Sequence, residues 1–123
     1  MGRSYPATVV RSGGGRVCEQ CAVAQTPLTR LKGLLGRARL RPDEGLLIRP
    51  TGAIHTCFMR FPIDAVFLTR DLVVVDVVSE LRPWRFAGRR GAKAVLELGA
   101  GEGRRRGIQV GDRLSLADPG AAS

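Results

Sequence analysis

The clearest structural signal in the chain is PIDAVFLTRDLVVVDVVSELR, residues 62–82, which predicts a β-hairpin. Two runs rich in β-branched residues flank a polar turn that contains Asp71, and this composition favours paired strands. Both runs are apolar on both faces for several residues. Such strands are typical of buried positions, so both are predicted to lie centrally in a curved sheet or barrel.

Further β-prone runs lie on both sides of this hairpin. Near the N-terminus, SGGG separates ATVVR from RVCEQCAVA, and this flexible connection predicts a second hairpin. Three more strands are predicted at GLLIR, KAVLELGAG and VGDRLSLA, the last of which opens with a turn at Gly111 and Asp112. EGRRRGI, residues 102–108, predicts a single helical turn.

The hydrophobic period changes in TPLTRLKGLLGRARL, residues 26–40. Thr26 is a suitable N-cap, and Pro27 suits the first helical position. Leucines at positions 28, 31, 34 and 35 form a stripe with helical spacing, and Gly36 is a suitable end. The pattern predicts one amphipathic helix over about residues 27–36.

These elements predict a mainly β (α+β) fold, in which a curved sheet or partly open β-barrel carries one docked helix. A chain of 123 residues makes a single small domain and can bury a core without disulfides or metal. Its 44% hydrophobic and 25% charged residues are ordinary for a globular protein. We expect flexible tails at residues 1–5 and 118–123.

The chain is strongly basic, with 20 Lys and Arg residues against 11 Asp and Glu and a net charge of +9. This excess permits attraction to nucleic acid or anionic surfaces. However, the basic residues are scattered along the chain with little aromatic interleaving. We therefore expect nucleic acid to bind only weakly and without sequence specificity.

The sequence lacks the usual signals of membrane and secreted proteins. No apolar run reaches the ~18–20 residues of a membrane span, and MGRSYPATVV has no apolar core of a signal peptide. The three cysteines suit a compartment in which thiols stay reduced. A soluble, cytoplasmic protein without a membrane span is predicted.

Seven short motifs occur in order: RLKGLLGR, EGLLI, MRFPIDAVFL, VVDVV, LRPW, AVLELGAG and GIQVGDRLSL. With them, about residues 20–117 resemble the domain of unknown function 192 (DUF192) family. The resemblance implies a compact β-rich domain with no established reaction, often preceded in other members by a signal peptide or lipoprotein leader. Phe58, Met59 and Arg60 match the family pattern, whereas Phe61 and Pro62 replace an Asn-containing link, so no role of that Asn is carried over.

The candidate site lies in IHTCFMRFPIDAVFL, residues 54–68, which holds the only histidine of the chain. Asp64 begins a core strand, where a carboxylate must be hydrogen-bonded or paired. In a structural role, Asp64 accepts backbone N–H bonds at the Pro62 bend and holds the hairpin register. In a functional role, Asp64, Arg60 and His55 face a pocket, and Arg60 offers its planar fork to Asp64 or to an anionic ligand.

Two residues outside this stretch complete the candidate site. Trp84, the only tryptophan, is expected as a lid on the core or as an exposed ring that stacks on a sugar or base. Glu97 lies between two leucines and is expected to face outward or toward the polar cluster. The predicted ligand-binding set is His55, Met59, Arg60, Asp64, Trp84 and Glu97.

A zinc site is an alternative use of the cysteines and the histidine, with three thiolates and one imidazole as ligands: Cys18, Cys21, His55 and Cys57. Residues three apart on an extended strand face opposite sides, so Cys18 and Cys21 converge only at a bend or bulge. Burial of each cysteine as a small hydrophobe is the simpler interpretation. A nucleophilic pair of Cys57 and His55 is disfavoured, because residues two apart on one strand lie roughly 7 Å apart.

The sequence indicates no particular reaction, so the function stays open. The favoured hypothesis is a small non-catalytic module that binds a small polar or anionic ligand or a protein partner, with no cofactor. The alternatives are a hydrolase-like enzyme with Asp64 or His55 as general base, and the structural zinc domain. Burial of Asp64 under backbone hydrogen bonds favours the module, whereas a pocket shared by Asp64, His55 and Glu97 favours the enzyme.

Overall fold

The computed structural model describes residues 5–24, 40–57 and 59–117. Within these ranges the chain forms nine strands and one four-residue helix, α1, at Glu102–Arg105. The strands are β1 Tyr5–Arg11, β2 Arg16–Ala24, β3 Glu44–Ile48, β4 Ala53–His55, β5 Ile63–Leu68, β6 Val74–Leu81, β7 Phe86–Gly88, β8 Ala94–Gly99 and β9 Leu114–Ala117. The mainly β prediction is confirmed.

Seven strands form one curved sheet in the order β6-β5-β8-β3-β2-β1-β9. All neighbours are antiparallel except β2 and β3, which are parallel. The two edges of the sheet meet at one end, where Val73 bridges Arg113. There, Leu114 N–H donates to the Leu72 carbonyl at 2.8 Å. The sheet therefore curls toward a barrel that is joined at this end.

Two apolar layers cover the two faces of the sheet. The first is enclosed by the curve, because all seven strands contribute to it, with Leu47, Val66 and Leu96 among its members. The second lies on the outer face of β3, β5 and β8 and includes Phe61 and Phe67. The separate two-stranded sheet of β4 and β7 packs onto this second layer, to which each of its strands contributes one buried side chain.

Most strand predictions are confirmed, including the β5–β6 hairpin, the β1–β2 hairpin and the helical turn that forms α1. The expected central position of β6 is wrong, because β6 is an edge strand of the sheet. Its middle residues are only half-buried, and α1 packs beside it. An edge strand covered in this way has the same apolar pattern as a central one.

Two short elements are missing from the sequence-based expectation. The strands β4 and β7 have three residues each, which is too short for a recognisable alternation. The predicted amphipathic helix over residues 27–36 lies outside the described residues. Among the residues that are described, no helix is long and apolar enough to cross a membrane.

Candidate functional site

The carboxylate of Asp64 is fully buried and is engaged by backbone groups. Its Oδ1 accepts hydrogen bonds from the Glu80 N–H at 2.8 Å and the Gly101 N–H at 3.0 Å. Its Oδ2 accepts one from the Gly103 N–H at 2.8 Å. Both oxygens are therefore used by the fold, and the donors come from β6 and the start of α1 rather than from the predicted Pro62 bend.

Local backbone geometry makes room for this arrangement. Glu80 adopts a left-handed conformation with φ 53°, next to an irregularity in the β5–β6 register around Asp64. Gly101, with φ 88°, precedes α1. A Cβ on Gly103 would lie 3.1 Å from Asp64 Oδ2, so a side chain there would crowd the carboxylate. Asp64 thus joins the end of the hairpin to the β8–α1 connection.

Glu97 lies on the other face of the sheet from Asp64. Its neighbours Leu96 and Leu98 belong to the enclosed apolar layer, and side chains alternate along a strand, so Glu97 faces the outer layer. The side chain is fully buried, because β8 is central and both of its faces are covered. The expectation that Glu97 faces outward into solvent is wrong, and it shares no cavity wall with Asp64.

Cys18 and Cys21 converge inside the enclosed layer, where they are 0% and 2% exposed. The β1–β2 pairing slips between Ala7 and Val9, so that two intervals on β1 match three on β2. This bulge turns Glu19 and Gln20 outward and brings both thiols to one face. A hydrogen bond to Cys18 and burial raise the pKa of the Cys21 thiol well above its ordinary value. Strand parity allows this convergence only at a bend or bulge, and the structure has that bulge.

The four residues of the zinc hypothesis are not brought together. Cys18 and Cys21 lie on β2 in the enclosed layer, whereas His55 is exposed at the end of β4 and Cys57 is half-buried in the following turn. Over residues 5–24, 40–57 and 59–117, no group of three His, Cys, Asp or Glu side chains could hold a metal ion. All three cysteines are free thiols.

Thr56 organises the end of the β4–β7 sheet. It is fully buried, and its Oγ1 accepts from the Arg85 N–H at 2.8 Å while its hydroxyl donates to the Arg82 carbonyl at 2.5 Å. The Thr56 carbonyl accepts from the N–H groups of Trp84, at 3.0 Å, and Met59, at 3.2 Å. One buried threonine thus holds the loop between β6 and β7 in a defined conformation.

This loop presents aromatic rings to solvent. Trp84 is 59% exposed and Phe86 is 75% exposed, so the core-lid expectation for Trp84 is wrong. Trp84 also has a left-handed φ of 64°, a conformation that costs energy in a non-glycine residue. Phe86 is paired with His55 across the β4–β7 sheet, and that histidine is exposed too.

The exposed residues around Thr56 form what we call the Trp84 surface: His55, Arg82, Trp84, Arg85 and Phe86. His55 and Phe86 face solvent, while their neighbours Ile54 and Ala87 are buried in the outer layer. The β4–β7 sheet therefore has one apolar face on the core and one outer face that exposes His55 and Phe86. Exposed apolar patches rimmed by polar residues are a feature of interaction sites.

Basic residues dominate the segments that build this surface. Residues 49–62 and 82–93 contain no Asp or Glu, and their cations are Arg49, Arg60, Arg82, Arg85, Arg89, Arg90 and Lys93. Arg89 is fastened to β6, because its Nε donates to Asp76 Oδ2 at 2.6 Å and its guanidinium lies 5.4 Å from the Phe67 ring centre. The hydrogen bond from Arg89 lowers the pKa of Asp76.

A separate cavity of about 310 Å³ opens beside the Asp64 hydrogen bonds. Its walls are formed by Leu40, Pro42, Phe61, Pro62, Gly99, Ala100 and Glu102. The carboxylate of Glu102 is held by Arg105 at 3.2 Å and Arg106 at 3.3 Å. None of the six predicted ligand-binding residues lines this cavity.

The predicted ligand-binding set is thus divided among different places. His55 and Trp84 both lie next to Thr56, His55 as its neighbour in the chain and Trp84 through the hydrogen bond from its N–H to the Thr56 carbonyl. Arg60 is exposed in the turn that follows. Asp64 and Glu97 are fully buried on opposite faces of the sheet, and Met59 is buried in the outer layer. Two residues of this region are missing from the sequence-based prediction. Thr56 belongs to no recognisable motif. Phe86 follows Trp84 by two residues in RPWRF, and this pair of aromatic residues was a signal that could have been used.

Comparison with known proteins gives a family and a fold. The model of the DUF192 family, described as "Uncharacterized ACR", matches residues 8–116. The UPF0127 protein PF1050 of Pyrococcus furiosus is 40% identical over 67 residues, which are 54% of this chain and 57% of that protein. The match therefore spans less than two thirds of that relative.

Two solved structures are similar to this fold over most of their length. A protein of unknown function from Novosphingobium aromaticivorans has a TM-score of 0.76 and 27% identity, with 91% of this chain and 84% of that chain covered. A protein from Sinorhizobium meliloti, described as "a putative transcription regulator", has a TM-score of 0.73 and 27% identity, with 93% and 96% covered. Since the family model covers nearly the whole described chain, this protein belongs to the DUF192 family.

Proposed function

We propose that this protein is a small non-catalytic binding module that contacts its ligand or partner through the Trp84 surface. The observation that carries the proposal is the exposure of Trp84 and Phe86 on a loop held by the buried Thr56. Large rings that stay mostly exposed on an ordered loop add little stability through apolar burial. A rigid, exposed aromatic surface is instead suited to binding.

The positions of the carboxylates support a binding role over a hydrolytic one. A general base must lie within hydrogen-bond reach of its substrate, whereas both oxygens of Asp64 accept backbone N–H groups inside the fold. Glu97 faces the other side of the sheet. His55 is exposed, and its Nδ1 accepts a hydrogen bond from the Cys57 N–H at 3.3 Å. Asp64 is buried elsewhere, so its carboxylate does not orient the His55 ring.

We also propose a cytoplasmic location for the module. Its support is the chemistry of the cysteines, since Cys18 and Cys21 lie side by side as free thiols. Thiol pairs persist in compartments kept reducing by the cell.

The proposal can be tested with Trp84 itself, because the single tryptophan makes its fluorescence a direct reporter of the surface. The protein is titrated separately with oligothymidine, poly-L-glutamate and heparin at low salt. We expect at least one polyanion to change the Trp84 emission saturably, and Phe86→Ala to weaken that binding. Asp64→Asn and Glu97→Gln, in whatever fraction folds, should bind as the wild type does.

Two results would contradict the proposal. One is an emission that none of the three polyanions changes. The other is binding that survives Phe86→Ala but is lost in folded Asp64→Asn, which would move the site to the interior carboxylate.

A further inference from the structure

We infer that the Trp84 surface binds single-stranded nucleic acid, recognised by ring stacking and by arginine contacts to phosphate. This inference rests on the proposed function, since it names the ligand class of the same surface. It also revises the expectation that the arginines lack aromatic neighbours. Trp84 and Phe86 are exposed on one short loop that also carries the exposed Arg82 and Arg85.

The aromatic residues give the stacking part of the argument. Trp84 and Phe86 expose 59% and 75% of their surface, and His55 lies opposite Phe86 across the sheet. Backbone hydrogen bonds join Thr56 to Arg85 and Arg89 to Gly52. Because hydrogen-bonded and non-hydrogen-bonded pairs alternate along an antiparallel ladder, the neighbouring His55–Phe86 pair is a non-hydrogen-bonded one. In such pairs the side chains lie close together. Flat rings held close on one face suit unpaired bases, which stack on aromatic side chains.

Charge gives the second part of the argument. The segments 49–62 and 82–93 carry seven cations and no acid. Arg89 is paired with Asp76, while Arg82, Arg85 and Arg60 are exposed. Arginine binds phosphate through its planar fork and also stacks on rings and bases. Positive charge beside stacking rings is the combination that single-strand-binding proteins use.

Other ligands use features that this surface lacks. Sugar hydroxyls donate hydrogen bonds as well as accept them, and the carboxylates and side-chain amides that accept such bonds most strongly are absent from segments 49–62 and 82–93. An extended acidic peptide would gain backbone hydrogen bonds by adding a strand, but β4 and β7 have only three residues each. A nucleic-acid duplex keeps its bases stacked inside, so its binding would leave both rings unused.

The test is fluorescence anisotropy with a labelled oligothymidine of about 20 nucleotides, long enough for a compact single-strand site. A duplex of equal length and poly-L-glutamate serve as competitors at about 50 mM salt. We expect oligothymidine to bind at least tenfold more tightly than the duplex. Trp84→Ala and Phe86→Ala should each weaken binding by roughly tenfold, while Trp84→Phe, which keeps a ring, should lose about threefold or less.

Matched controls come from the turn before β9. Val110 is 66% exposed and apolar, and Arg113 is exposed on the other side of that turn. Val110→Ala and Arg113→Ala should leave the affinity unchanged. Arg85→Ala should reduce the slope of log affinity against log salt by about 0.7, the value for one phosphate contact of a single strand.

The inference is overturned if duplex and oligothymidine bind equally, or if folded Phe86→Ala and Trp84→Ala both bind as tightly as their Val110→Ala control. Should poly-L-glutamate bind through Phe86 while oligothymidine does not, the binding module stands and the nucleic-acid inference fails. If neither polymer binds at low salt, the nucleic-acid inference fails, and the binding module fails with it if heparin also leaves the Trp84 emission unchanged. Unfolding midpoints of each variant show whether a loss of affinity reflects a loss of fold, and Phe86→Ala carries the test if Trp84→Ala does not fold.

Discussion

The carboxylate of Asp64 connects three points of the backbone that are far apart in sequence. Its bonds to Glu80, Gly101 and Gly103 keep the end of β6 against the start of α1. A buried carboxylate is stabilised by several N–H donors, and removal of the acceptor leaves those donors without a partner. The residue is therefore better understood as a structural acceptor than as a reactive acid.

Asp64→Ala is predicted to lower the free energy of unfolding by roughly 3 kcal/mol, because buried N–H groups lose a charged acceptor. Asp64→Asn keeps one carbonyl oxygen and should lose less. Urea denaturation measures both. Asp71→Ala, at an exposed position of the β5–β6 turn, is the matched control and should change stability by less than about 0.5 kcal/mol. An Asp64→Ala protein as stable as its parent would exclude the structural role.

Thr56 has a comparable role for the Trp84 surface. Thr56→Val keeps the shape of the side chain but removes the hydroxyl that contacts Arg82 and Arg85. We expect a loss of about 1–3 kcal/mol in the free energy of unfolding and lower fluorescence anisotropy of Trp84, whose loop is released. Thr56→Ser keeps the hydroxyl and should preserve most of both properties. Equal behaviour of the two variants would show that packing, not the hydroxyl, orders the loop.

At the scale of the element, β2 shows how a bulge changes the chemistry of a strand. Its extra residue brings Cys18 and Cys21 to the same buried face. A Cβ on Gly45 of the parallel neighbour β3 would lie 2.8 Å from the Cys18 sulfur. The absence of a side chain at Gly45 therefore makes room for this pair of thiols.

The bulge leads to a prediction about alkaline stability. In the folded protein the hydrogen bond to Cys18 and burial raise the pKa of the Cys21 thiol, so unfolding releases a proton once the pH exceeds the ordinary thiol value of roughly 8.5. The contribution of the buried Cys21 thiol to the free energy of unfolding is complete below that pH and decreases as the pH rises above it. The free energy of unfolding of the wild type, measured by urea denaturation, should fall more steeply above that pH than that of Cys21→Ala, with a slope difference approaching about 1.4 kcal/mol per pH unit.

Cys57→Ser is the control for this comparison, because Cys57 is only half-buried and its removal should leave the alkaline fall unchanged. If wild type and Cys21→Ala lose stability in parallel above the thiol range, the buried thiol pair does not contribute to the pH dependence.

The elements differ in how far the sequence predicts them. The long strands β1, β2, β5 and β8 are predictable, since alternation and β-branched runs extend over six or more residues. The strands β4 and β7 are not, because three residues carry no period. The bulge in β2 is also hidden, since it depends on pairing with β1; the spacing of Cys18 and Cys21 shows only that their convergence requires a bend or bulge.

At the scale of the whole molecule, coverage of the sheet decides which side chains are accessible. Glu97 and Trp84 illustrate the limit of local sequence patterns. Glu97 has leucine neighbours on both sides in the sequence. On a sheet with one solvent-exposed face, this alternation indicates a side chain that points to solvent. Here the outer face of β8 is covered by a second apolar layer. Tryptophan buries most of its large apolar surface on average, yet Trp84 is 59% exposed on its loop. Which layers cover a strand is a property of the complete fold.

The charge distribution also acts at the scale of the molecule. The buried acids Asp64 and Glu97 lie in the interior, while segments 49–62 and 82–93 contribute only cations. Part of the net charge of +9 therefore lies in the segments that carry the exposed rings, which adds to the exposure of Trp84 and Phe86 as support for the Trp84 surface.

The most direct test is a ¹⁵N NMR titration of the wild-type protein with oligothymidine and, separately, with poly-L-glutamate. We expect shift changes to concentrate on the Trp84 indole N–H and on the amides of Thr56, Arg85 and Phe86. The amides of Gly101 and Gly103, which bind Asp64, should stay unchanged. Shifts concentrated on these two glycine amides, with the Trp84 indole unaffected, would contradict the account and place the contact site at the interior carboxylate.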